Sequence, residues 1–83
     1  MPKEYVVVLA EDEDSCAVKK VSQNSFYQIK DMLGDGEDAV TIVESIVELS
    51  TTENNILKNG LNKEEAIEYA EDVSDDYVVL EVY

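Results

Sequence analysis

The chain has 83 residues, twenty acids against six lysines, and a formal charge of −14 with no histidine. A chain this short buries only about 60–65% of its unfolded surface and has room for one sheet with one or two helices. The charge excludes direct nucleic-acid binding, which needs Lys and Arg to neutralise phosphate. It also disfavours the anionic face of a membrane.

Cys16 is the lone cysteine, so no intramolecular disulfide forms. No apolar run approaches the length of a membrane span. The N-terminal MPKEYVVVLAEDED lacks the long apolar stretch and cleavage site of a signal peptide, so a cytoplasmic protein is expected.

Tyr5 to Ala10, YVVVLA, has the β-branched and nearly continuous apolar character of a strand that is central or covered on both sides. Glu11 to Ser15, EDEDS, is a turn, and Cys16 to Val21 is the returning strand of a hairpin. Ser22 to Leu33 reads as a helix, with Ser22 or Ser25 as the cap. Phe26, Ile29 and Leu33 fall on one face, and Gly34 suits a left-handed terminus.

Ala39 to Leu49, AVTIVESIVEL, carries two opposed signals. Ala39, Ile42, Val43, Ile46 and Leu49 follow helical spacing, while the wealth of β-branched residues favours a strand. We expect a strand, with a helix from Glu37 to Ser50 as the alternative. A further short strand is expected at Asn55 to Lys58, after the polar TTEN.

Gly60 breaks the chain. Asn62 then caps a helix expected to run to Asp76, with Glu65 at the capping-box position and Ile67, Ala70 and Val73, with Ala66 beside them, facing inward. Tyr77 to Tyr83 is the closing strand. The order ββα-β(β)-αβ implies a single α+β domain: a small antiparallel or mixed sheet with two helices packed on one face.

Most familiar chemistries are absent. Without histidine there is no Ser–His or Cys–His pair, and paired carboxylates need a cleft that separates their pKa values, so no enzyme is expected. No cofactor and no metal are expected. The loop from Asp31 places Leu33 and Ile42 where a calcium loop needs oxygen ligands, and one cysteine cannot build a zinc site. Gly34 and Gly36 sit among acids that repel phosphate.

What remains is the acidity. Glu64, Glu68, Glu71 and Asp75 fall in one helical stripe, and Glu65, Asp72 and Asp76 in a second row beside it. Like charges at i, i+4 cost a few tenths of a kcal/mol each. Their axial spacing of about 6 Å is close to that of successive phosphates on one nucleic-acid strand. Carboxylates so placed can occupy the Lys and Arg sites meant for phosphates. Glu11, Asp12, Glu13 and Asp14 of the hairpin extend the field, as do Glu37, Asp38, Glu44 and Glu48.

In size, acidity and α+β pattern the chain resembles phage-encoded inhibitors that imitate DNA: anti-CRISPR proteins, anti-restriction proteins and inhibitors of uracil-DNA glycosylase. The likeness is one of composition over the whole chain and transfers no site residues. It implies an inhibitor acting in a host cytoplasm on a basic nucleic-acid-binding protein, such as a CRISPR effector or another DNA-processing enzyme. Two other readings stand beside it. One is an acidic structural or regulatory domain that docks a protein partner through its sheet edge, with Tyr77 and Tyr83 on one parity of the last strand. The other is adaptation to high salt, which a melt at low salt decides. Oligomeric state is left open.

Overall fold

A computed structural model describes residues 4–50 and 55–82. Its elements are β1 (Tyr5–Asp12), β2 (Ser15–Val21), α1 (Gln23–Gly34), α2 (Ala39–Ser45), α3 (Val47–Ser50), β3 (Ile56–Leu61), α4 (Lys63–Val73) and β4 (Asp76–Glu81). The fold is α+β, built on a four-stranded mixed sheet of order β3-β2-β1-β4. β1 pairs antiparallel with β2, from Tyr5 opposite Val21 to Asp12 opposite Ser15, and parallel with β4, from Tyr5 beside Asp76 to Ala10 beside Glu81. β2 pairs antiparallel with β3, with two irregularities in register.

β1 decides the layering. Val6, Val7 and Val8 are all fully buried, although successive strand residues point to opposite faces. Both faces therefore need cover, and the expected one-sided arrangement of helices is corrected accordingly. On one face Val7, Leu9, Val21 and Leu80 pack with Phe26 and Ile29 of α1 and with Ile42, Ile46 and Leu49. On the other, Val6, Val8, Ala10, Cys16 and Val18 pack with Ala66 and Ala70 of α4. Alanine at both α4 positions lets that helix lie close to the sheet. Tyr69 and Val73 flank it, while Ile67, expected to face inward, is only half-buried.

The strand expected over Ala39–Leu49 is instead two short helices. The Asp38 carboxylate accepts from the backbone N–H of Thr41 at 2.8 Å and caps α2. The helical spacing buries Ile42, Ile46 and Leu49, and that burial outweighs β-branched propensity. The β-branched residues still leave a mark. Ile46 takes an extended conformation (φ −101°, ψ 111°) and divides the helix.

Two further boundaries move. β3 runs on through Gly60 to Leu61, and Gly60 takes a left-handed φ of 69° within it. Gly36, not Gly34, takes the left-handed turn after α1, with φ 85°.

The N-terminus of α1 is held from α3. Ser22 caps it, accepting from Ser25 N–H at 3.2 Å. The Glu48 carboxylate accepts from Ser22 N–H at 2.9 Å, from the Ser22 hydroxyl at 2.8 Å and from the Ser25 hydroxyl. These bonds, the Ser25 hydroxyl first, hold the Glu48 pKa below the ordinary carboxylate value, against an opposing effect of burial. The contribution is fully present above the unfolded pKa of about 4.3. It fades as pH falls through the lower folded value. Glu48→Gln is therefore expected to lose about 1–2 kcal/mol at pH 7. In urea melts the deficit relative to wild type shrinks as pH drops below 4.

Candidate functional site

The acidic surface is assembled at one end of the sheet and then runs along α4. β1 and β4 are parallel, and β3 ends opposite the start of β2, so Asp12, Leu61 and Glu81 close the same end. There the hairpin meets the start of α4. The Lys63 N–H donates to the Glu13 carbonyl at 3.0 Å and ties the two acidic segments together. Glu13, Asp14, Asn62, Lys63 and Glu64 surround a shallow depression of about 340 Å³.

The expected site residues divide by role. Glu11, Asp12, Glu13 and Asp14 are all exposed. The Asp12 carboxylate accepts from Asp14 N–H at 2.8 Å, an Asx turn that shapes the hairpin. Glu65 completes the capping box of α4: Asn62 Oδ1 accepts from Glu65 N–H at 2.9 Å, and Glu65 Oε1 accepts from Asn62 N–H at 3.2 Å. Its carboxylate therefore serves the helix first. Glu64, Glu68, Glu71 and Asp72 are exposed along α4. Glu71 also lies 3.4 Å from the Tyr77 hydroxyl. Desolvation first, then the Glu71 charge, raises the Tyr77 pKa.

Asp75 and Asp76 are not on the helix, contrary to expectation. Ser74 adopts an extended conformation (φ −149°, ψ 145°) and ends α4. Its hydroxyl donates its one proton to the Glu4 carbonyl, lies 2.9 Å from the Asp76 carbonyl and accepts from Asp76 N–H at 3.0 Å, which starts β4. Asp75 is exposed in the turn, and Asp76 is half-buried as the first residue of β4. The two expected rows thus shorten to Glu64, Glu68 and Glu71, with Glu65 and Asp72 beside them. From Glu64 to Asp72 the strip is about 12 Å long at 1.5 Å per residue.

Glu81 joins this surface through its ion pair with Lys63. Nothing in the sequence pairs these residues, because the parallel register of β4 brings them together. Lys58 lies over the Tyr69 ring at 5.7 Å, at the flank of the strip. Tyr77 packs against the α4 cluster and is not free at a sheet edge; Tyr83 lies outside the described residues. Among the described residues no three His, Cys, Asp or Glu side chains converge as metal ligands. No helix in them is long and apolar enough to cross a membrane.

Comparison with protein-family models, with curated proteins and with solved structures finds no match.

The placement of the acids runs against helix stability. Glu64 and Glu65 in the first turn suit the helix dipole, but the last turn holds no basic residue and does hold Glu71 and Asp72. Anions at a helix C-terminus are disfavoured by roughly 0.3–1 kcal/mol each. Asp72→Lys is therefore expected to raise stability by about 0.5–1 kcal/mol, measured by urea melts at low salt. The gain should diminish as salt is added.

Proposed function

We propose that this protein is an acidic inhibitor that occupies the basic nucleic-acid-binding surface of a partner protein, in the manner of a DNA mimic. The partner class is a CRISPR effector or another DNA-processing enzyme of the host cytoplasm. The observation that carries the reading is the joining of hairpin and α4 by the Lys63–Glu13 backbone bond, which makes one acidic strip from two distant segments. The acids at the C-terminal end of α4, placed against the helix dipole, support it further.

The sheet-edge alternative has less support. Of the two edges, β3 is interrupted by register shifts and by Gly60, with Lys58 exposed, and on β4 the Tyr77 side chain packs into the α4 cluster. Such features blunt pairing with another chain. The test is displacement of fluorescent duplex DNA from purified DNA-processing enzymes over a salt series. Displacement that weakens steeply between 50 and 200 mM salt, roughly as phosphate contacts do, supports mimicry. Failure to displace DNA from any such enzyme at low salt, or inhibition without displacement, overturns it.

A further inference from the structure

The face of the sheet opposite α4 holds a separate feature. Beside α2 and α3 lies a cleft of about 570 Å³, lined by Leu9, Ala17, Val43, Leu49, Ile56 and Val82. Small-molecule sites span roughly 300–1,000 Å³ and combine apolar walls with a few polar groups. Glu11, Ser15, Lys19 and Asn59 supply the polar groups here, and of these Lys19 is the buried one, at 5% exposed.

Lys19 is unusual in its company. Its Nζ donates to the Leu49 carbonyl at 2.8 Å, and among the described residues no carboxylate forms an ion pair with it. An ammonium carries three N–H donors, and Leu49 takes one. A buried charge without a counter-ion is costly. Desolvation accordingly lowers the Lys19 pKa, with Glu11 opposing from a distance. Of the two charged residues that line the cleft, Lys19 is buried and Glu11 is exposed.

We propose that the cleft binds a small amphipathic monocarboxylate. Its carboxylate meets the two remaining donors of Lys19, and its apolar chain lies along Leu9, Val43 and Val82. Glu11, exposed and also lining the cleft, repels a second negative charge and so selects a monoanion over a dianion. The occupant is a small molecule recognised by one charge and one chain. The cleft lies on the face of the sheet opposite α4 and shares Glu11 with the acidic surface.

The experiment is titration of the full chain with decanoate and, in parallel, decanol, both below their aggregation concentrations, followed by amide NMR and by the Lys19 side-chain carbon resonance. Decanoate is expected to give saturable shifts at Leu9, Ala17, Val43 and Lys19, and to bind at least about tenfold more tightly than decanol. Lys19→Met should lose that advantage and leave decanol binding unchanged. Because this variant also removes the bond to Leu49, Ala17→Phe serves as the second variant. It keeps Lys19, fills the cleft, and should lose both ligands. No saturable shift in the wild type, equal affinity for acid and alcohol, or undiminished decanoate binding in Ala17→Phe overturns the proposal.

Discussion

A variant carrying Glu13→Gln, Glu64→Gln, Glu68→Gln and Asp72→Asn is expected to keep its fold and to lose at least about a hundredfold in affinity for a basic DNA-binding partner. The four positions lie on both sides of the Lys63–Glu13 junction and are exposed. They leave untouched the acids with structural work: Asp12 in its Asx turn, Glu65 in the capping box and Glu71 beside Tyr77. Glu64, Glu68 and Asp72 repel one another at i, i+4, so neutralising them relieves a few tenths of a kcal/mol per pair. That relief offsets the lost dipole interaction of Glu64, so stability holds while binding falls, which separates loss of contact from loss of fold. Four charge contacts at about 0.7–1 kcal/mol each give about 3–4 kcal/mol, or a factor of roughly 100–1,000. The measurement is a titration at low salt alongside a urea melt. Unchanged affinity in a folded variant would remove the acidic strip from consideration as the contact surface.

Phe26→Ala is expected to be the most damaging single truncation. Phe26 is 1% exposed, and its ring lies 5.1 Å from that of Tyr5 and under Lys30 at 5.7 Å. It joins α1 to the central strand, with Ile29 one turn further on. Truncating a buried phenylalanine costs about 3–5 kcal/mol. A domain of this length has roughly 4–12 kcal/mol in total at 0.05–0.15 kcal/mol per residue. The variant should lose a large share of its stability and unfold at a markedly lower urea concentration. The same melt should show Tyr27→Ala costing only about 1–2 kcal/mol, since Tyr27 is 49% exposed and loses just its ring contacts with Tyr5 and Phe26.

Much of this architecture is legible in local patterns. The Val-rich β1, the hairpin and the Asn62–Glu65 capping box fall where residue type and spacing place them, and of the two candidate caps of α1 the fold uses Ser22. The failures share a cause, which is contact between distant segments. Over Ala39–Leu49 the helical spacing of Ile42, Ile46 and Leu49 competes with β-branched propensity, and only the core against Phe26 and Leu80 decides between them. Asp38, three residues before Thr41, is the local signal that favours the helix. The two-sided layering is implicit in Val6, Val7 and Val8, which no single layer of helices can bury. The end of α4 depends on Ser74 reaching the carbonyl of Glu4, a partner 70 residues away. In the acidic site, the chain order shows two acidic segments. Their union needs the register that sets Lys63 beside Glu13 and Glu81.

The parallel pairing of β1 with β4 has a consequence for how the chain reaches its fold. The central strand is made well before its neighbour β4. During synthesis, β1, β2 and α1 can gather early, but Val6, Val8 and Ala10 stay uncovered until α4 and β4 emerge. Non-local pairing of this kind slows folding and lengthens the life of exposed strands. Glu11–Asp14, directly after that apolar run, then acts as an electrostatic guard, because adjacent charge disfavours stacking of one nascent chain on another. The same four acids that extend the acidic strip of the finished protein thereby protect the unfinished one.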